Sequence, residues 1–295
     1  MSRLSRRDFL KSSIAAGALV STGSLAAQSS KRAATDLVPL GNSGVKVTRL
    51  AFGTGTFGGR VQRELGQDQF TRLVRHAYDS GIRFFETADA YTGMPQMLAT
   101  ALKGIPRDSY KLMTKMRLRD ANEGKATLER FRQDLNSEYF DILLMHCVRQ
   151  PDWMKQFERL RDDLSEAKQK KMVLAHGASV HGILPLRAFP GNKWLDVGLF
   201  RINHDGTRMD TIEAETNRKG DVVEVSKHIQ TVHSQGIGVL GMKLCGEGQF
   251  KLPEQRDAAI KYVVKSGMVD AFTIGFKSPA EIDEAIQRIN THLNS

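Results

Sequence analysis

Eight short apolar runs, separated by stretches of helical periodicity, limit the possible folds of this chain more than any other feature of it. They lie at 50–52, 84–85, 112–113, 142–145, 172–175, 197–200, 238–240 and 271–274. Runs this short and this uniformly apolar suit strands buried on both faces, as in a parallel sheet. The intervening segments repeat at helical spacing. Phe70, Leu73, Val74, Ala77 and Tyr78 form one apolar stripe; Phe157, Leu160, Leu164 and Ala167 form another, and Ile282, Ala285, Ile286, Ile289 and Leu293 a third. Eight strands alternating with helices predict an α/β protein, a (β/α)8 TIM barrel, which typically needs about 250 residues. Ahead of the barrel, Leu37–Leu40 and Val45–Val47 flank Gly41-Asn42-Ser43-Gly44 and predict an N-terminal β-hairpin. No shift in composition marks a second domain.

In such a barrel the C-terminal ends of all the strands open onto one face, so the ionisable residues that close the apolar runs converge there. The stretch Gly81 to Tyr91 stops its apolar run at Glu86, with the Tyr91 phenol five residues further on. The next run ends at Lys115 and the one after it at His146. Ser179, Asn203, Lys243 and Lys277 approach the same mouth. A phenol with an ordinary pKa of about 10 is a poor acid. A lysine ammonium about 4 Å away stabilises the phenolate by up to ~4 kcal/mol at an effective dielectric near 20, or roughly 3 pH units. Tyr91 then serves as proton donor to a carbonyl oxygen, Glu86 holds Lys115 charged and in place, and His146 orients the same oxygen. No side chain supplies a hydride, so carbonyl reduction implies a nicotinamide. Each residue also has an ordinary structural reading, as a packed ring, an ion pair or a satisfied histidine. Their arrival on consecutive strand ends favours a site. The loop Gly53-Thr54-Gly55-Thr56-Phe57-Gly58-Gly59 allows close backbone approach to a ligand.

The N-terminus reads differently. Ser5-Arg6-Arg7-Asp8-Phe9-Leu10-Lys11 has the twin-arginine pattern, followed by a mildly apolar run, Ser12 to Leu25, and small residues at Ala26 and Ala27. That run is too short and polar for a spanning helix, which takes roughly 20 apolar residues. Residues 1–27 are therefore expected to be a twin-arginine signal peptide and 28–295 the barrel. The expected partner is the export machinery, the destination the periplasm, with no stable membrane insertion after cleavage. The 43 Lys and Arg against 33 Asp and Glu give a formal net charge of +10. Losing Arg3, Arg6, Arg7, Lys11 and Asp8 with the signal leaves a basic chain. Its cations are scattered and its aromatics few, which excludes a nucleic-acid stripe and favours an anionic small ligand. Cys147 and Cys245 have no metal-ligand spacing.

Together these motifs resemble the aldo-keto reductase family over essentially all of residues 28–295. Leu40 to Val47 is similar to its N-terminal hairpin, Gly81 to Tyr91 to its strand-two signature, and Thr114-Lys115 and Leu144-Met145-His146 to its third and fourth strand ends. The resemblance implies Tyr91 as the acid, Lys115 as its activator and His146 as the carbonyl-orienting residue, with Glu86 where the family has aspartate. It also implies NADP(H). Ser179 would hold the nicotinamide amide, with Val180 and Leu199 replacing the family's asparagine and glutamine. Met242 replaces the stacking aromatic, beside Lys243. Lys277 and Ser278 would take the 2′-phosphate, at a helix start with Pro279 as N1 and Glu281 as capping-box partner. Thr54 and Asn203 complete the cofactor set. The expected function is reduction of a carbonyl, or oxidation of an alcohol, of a small substrate. Two other readings stand beside it: a nicotinamide-binding sensor without turnover, given Val180, Leu199 and Met242, and a lyase or isomerase using Lys115 as a Schiff-base amine.

Overall fold

Ten strands are described in the computed structural model, which covers residues 31–213 and 218–295; the expected signal peptide lies outside the described residues. Strands β1 (Leu37–Pro39) and β2 (Lys46–Thr48) pair antiparallel as the hairpin. The remaining eight are β3 (Leu50–Gly53), β4 (Phe84–Glu86), β5 (Lys111–Arg117), β6 (Phe140–Val148), β7 (Val173–Val180), β8 (Val197–Arg201), β9 (Gly238–Met242) and β10 (Ala271–Gly275). They close into a parallel barrel in sequence order, β10 pairing with β3. This is the (β/α)8 architecture with an N-terminal hairpin.

The apolar runs locate every barrel strand but stop short of several ends. A run ends at its first charge, whereas the hydrogen-bonded ladder does not: Lys115, Met116 and Arg117 of β5 pair in register with Leu144, Met145 and His146 of β6. Lys115 and His146 therefore lie inside their strands rather than terminating them.

The barrel interior follows the two-residue period of a strand. Ala51, Phe84, Met113, Ile142, Leu144, Ala175, Val197, Leu199, Leu240 and Ala271 pack into one inner cluster. Continuing the same parity upward reaches Glu86 after Phe84, Lys115 after Met113, His146 after Leu144, Ser179 after Ala175 and Gly177, and Thr273 after Ala271. The lower part of the lumen is thus greasy and the upper part polar. Leu40, Val45 and Val47 of the hairpin region belong to the same inner cluster and close the barrel from below, tied there by Asn42 N–H to the Gly236 carbonyl at 2.7 Å.

Residues of opposite parity, among them Phe52, Phe85, Leu112, Leu143 and Met145, pack outward against the helices. The helices Gly66–Asp79, Glu158–Gln169 and Pro279–Asn294 bury the predicted stripes, with Tyr78, Phe157 and Ile286 only partly covered. Among the described residues no helix is long and apolar enough to cross a membrane.

A buried carboxylate fixes β5 against β6. Asp141 is fully buried and accepts Leu112 N–H at 2.9 Å and Arg107 Nη2 at 2.8 Å, with Lys111 Nζ at 3.1 Å. Removing one member of such a network leaves uncompensated charge. Asp141→Ala is expected to lower stability by about 3–5 kcal/mol, read as a lower urea midpoint at unchanged slope.

Candidate active site

Glu86 and Lys115 face each other across adjacent strands at 3% and 1% exposure, so each charge has almost no water and depends on the other. Lys115 Nζ donates to Glu86 Oε1 and, at 2.8 Å, to the Thr87 carbonyl. The second carboxylate oxygen, Oε2, accepts from Thr273 Oγ1 at 3.3 Å. The added methylene of Glu86 thus lets one carboxylate reach both β5 and β10. Thr54 hydrogen-bonds the Glu86 carbonyl through its N–H at 3.1 Å and its hydroxyl at 3.0 Å, locking the loop after β3 onto the end of β4.

Tyr91 stands above this pair, with Lys115 Nζ 4.8 Å from its ring centroid. The ammonium therefore approaches the negative face of the ring. Glycine is required at position 55, because a Cβ there would lie 2.6 Å from the Tyr91 hydroxyl. His146 meets the Tyr91 ring edge to face, centroids 5.6 Å apart. Asp89, at the start of the turn that carries Tyr91, is tied to Arg117 through Arg117 Nη2 to its carbonyl at 2.8 Å.

The electrostatics correct one expectation. Burial first, and then the Glu86 carboxylate, push the Tyr91 phenol well above its ordinary range. Lys115 is committed to Glu86, so Tyr91 is a protonated donor and not a pre-acidified one. Burial, followed by the Lys115 charge, holds His146 well below the ordinary histidine range. Its ring is therefore neutral near pH 7, with one nitrogen to donate and one to accept.

These four side chains line a cavity of about 730 Å³, within the roughly 300–1,000 Å³ of small-molecule sites. Ser179, Leu199, Met242, Lys243 and Lys277 line it too. Ser179 Oγ accepts Cys147 N–H at 2.8 Å, which leaves its own hydrogen for a ligand. Lys243 is paired with Glu247. Three other expected cofactor residues lie outside the lining. Thr54 is turned to the Glu86 carbonyl. Asn203 is fully buried, donating to the Thr207 and Lys243 carbonyls at 2.7 and 3.1 Å and accepting from Asp205 and Gly206, so it staples two loops together. Ser278 caps the last helix, accepting from Glu281 N–H at 3.4 Å, while the Glu281 carboxylate reaches past it to Lys277 N–H at 2.8 Å.

Thr56 of the glycine-rich loop lines the cavity as well, and sequence reasoning missed Cys147, His181, Arg256 and Arg288, all in the lining. His181 was legible from parity, two residues beyond Ser179. Arg256 and Arg288 grip Glu284 from two helices, a pairing no local pattern announces. Among the described residues no group of three or more His, Cys, Asp or Glu is placed to hold a metal, and Cys147 and Cys245 are not joined in a disulfide.

Comparison with known proteins agrees with this architecture. Residues 3–23 match the twin-arginine translocation pathway signal sequence. The chain is 33% identical over 123 residues to L-galactose dehydrogenase of Arabidopsis thaliana, a match covering 38% of each chain. It therefore spans well under half of that curated relative. A Pseudomonas aeruginosa structure described as an aldo-keto reductase superposes with a TM-score of 0.70 at 21% identity, covering 90% of this chain and 99% of that one. The holo form of aldo-keto reductase AKR11C1 from Bacillus halodurans gives 0.66 at 17% identity, covering 88% and 95%. At these identities the structures establish the shared fold. The model of the Aldo/keto reductase family matches residues 49–259, most of the chain, and the protein belongs to that family.

Proposed function

We propose that residues 28–295 form an exported NADP(H)-dependent oxidoreductase that interconverts the carbonyl and alcohol of a small substrate in the periplasm. The observation that carries this reading is the buried Glu86–Lys115 pair beneath Tyr91, with neutral His146 on the same cavity wall. A nicotinamide, when bound, supplies the hydride. The lining supports its presence: Ser179 keeps a hydrogen for a carboxamide oxygen, Met242 offers a thioether face for a ring, and Lys277 adds a cation, as do Arg256 and Arg288, which share the single carboxylate of Glu284.

The work of the chain is to orient the substrate and move one proton. The neutral imidazole of His146 donates to the carbonyl oxygen and fixes its direction. Tyr91 holds its proton firmly in the resting site and releases it only as negative charge grows on that oxygen. The Lys115 ammonium then stabilises the developing phenolate, while Glu86 keeps Lys115 from drifting. Excluding water strengthens each of these interactions. Two of the three ammonium hydrogens of Lys115 are taken by Glu86 and the Thr87 carbonyl, and the buried carboxylate keeps the amine charged, which opposes the Schiff-base reading.

Three outcomes test this. Tyr91→Phe is expected to cut kcat by about 10²–10⁴ while leaving NADPH affinity, read by fluorescence titration, unchanged. NADPH at about 100 times its Kd should stabilise the folded protein by about 2.7 kcal/mol, seen as a raised Tm; no shift would defeat the cofactor assignment, and binding without turnover of any small carbonyl would favour the sensor reading. The third outcome concerns pH. His146 and His176 both have pKa values lowered chiefly by burial, so the unfolded chain takes up protons below about pH 6.5 that the folded chain refuses. Stability is therefore full above that pH and is lost as pH falls towards the folded values, by up to about 1.4 kcal/mol per pH unit for each group. Urea unfolding at a series of pH values should show a shallower slope in His146→Gln.

A further inference from the structure

Carbonyl reduction leaves one patch of the cavity wall unused. Adjacent residues on a strand face opposite ways, yet His146 and Cys147 both line the cavity. The pairing of β6 with β7 shifts register between Met145 and Val148, and Cys147 adopts a left-handed φ of 61°. This irregularity brings the thiol to the chamber beside His146. Its sulfur lies 3.4 Å from His181 Nε2, and on the opposite edge of that ring Nδ1 meets Arg201 Nη2. A guanidinium can only donate. Nδ1 is therefore the acceptor, and the neutral ring carries its hydrogen on Nε2, aimed at the sulfur. His181 thus acts as a donor that favours negative charge on Cys147, and the thiolate is the nucleophilic form. Arg201 is itself held by Asp210, Nε to Oδ1 at 3.7 Å. Next to this pair His146, about nine-tenths buried, points a polar ring into the cavity with no hydrogen bond among the described residues.

We propose that Cys147 is a covalent capture site for α,β-unsaturated carbonyl compounds, its sulfur backed by His181 and the ligand's carbonyl oxygen held by His146. The inference rests on the carbonyl-binding reading of this cavity. The thiol proton passes to solvent, and a sulfur lone pair forms a bond to the β-carbon. The carbon–carbon π pair shifts, leaving an enolate whose oxygen stays on His146, and the α-carbon then takes a proton from water. The net change is addition of S–H across the double bond, with no oxidant or reductant. The adduct occupies the carbonyl position at His146 and blocks turnover, so the site is shut down by one class of the electrophiles it admits.

Cys245 provides an internal control. It lines the same cavity, but burial pushes its thiol up to about 11, which leaves roughly one molecule in ten thousand as thiolate at pH 7. The test uses the purified full chain without nicotinamide, treated with but-3-en-2-one and followed by intact mass and peptide mapping. One adduct is expected, on Cys147, forming about tenfold faster in the folded protein than in urea. Cys147→Ser should give none, and His181→Phe should slow capture about tenfold. Absence of an adduct, modification confined to Cys245, or equal rates in folded and unfolded protein overturns the proposal. NADPH consumption with a broad panel of saturated aldehydes and ketones is measured separately. Adduct without consumption retains the capture site and removes the oxidoreductase reading; consumption without adduct does the reverse.

Discussion

An ammonium and a carboxylate shut away from water beneath a phenol set the terms for the rest of this protein. Isolated, either charge would cost several kcal/mol to bury, so Glu86 and Lys115 tolerate their position only because β4 and β5 present them to each other. That requirement fixes strand register: a one-residue slip would send the pair to the helix layer. Asp141 at the start of β6, gripping Leu112, Arg107 and Lys111, guards this register from below. Thr273 ties Glu86 to β10, three strands from Lys115 around the barrel. In the function proposed for this cavity, the same buried pair supplies the charge that the Tyr91 phenol needs only when it gives up its proton.

Much of this was legible in the sequence because a barrel strand is uniformly apolar and its helix is not. The eight runs gave the strands, and the ionisable residues that ended three of them gave Glu86, Lys115 and His146. What the pattern could not give was where a ladder ends, since hydrogen bonding continues through Lys115 to Arg117 while hydrophobicity does not. Nor could it separate residues that face the cavity from those that brace it. Asn203 and Thr54 are polar residues just beyond strand ends, as a ligand-binding group would be, yet both spend their hydrogen bonds on neighbouring backbone. Arg256 and Arg288 were invisible for the opposite reason: they are ordinary helix residues until the fold brings two helices around Glu284.

Cys147 stands apart from both groups. A side chain in the left-handed region costs on the order of 1–3 kcal/mol, and glycine or asparagine would bear it more easily. The cost is met by the surrounding ladder and by the bond from its N–H to Ser179. Parity assigns this residue to the helix layer; only the shift in pairing between Met145 and Val148 brings it inward. Sequence alone carries no sign of such a shift.

The hairpin contributes in another way. By packing Leu40, Val45 and Val47 under the lumen, it covers the apolar foot of the barrel, where Ala51, Phe84 and Met113 meet. Without that cover water would reach side chains that have no polar group to offer it. The hairpin therefore insulates the floor on which the buried ion pair stands.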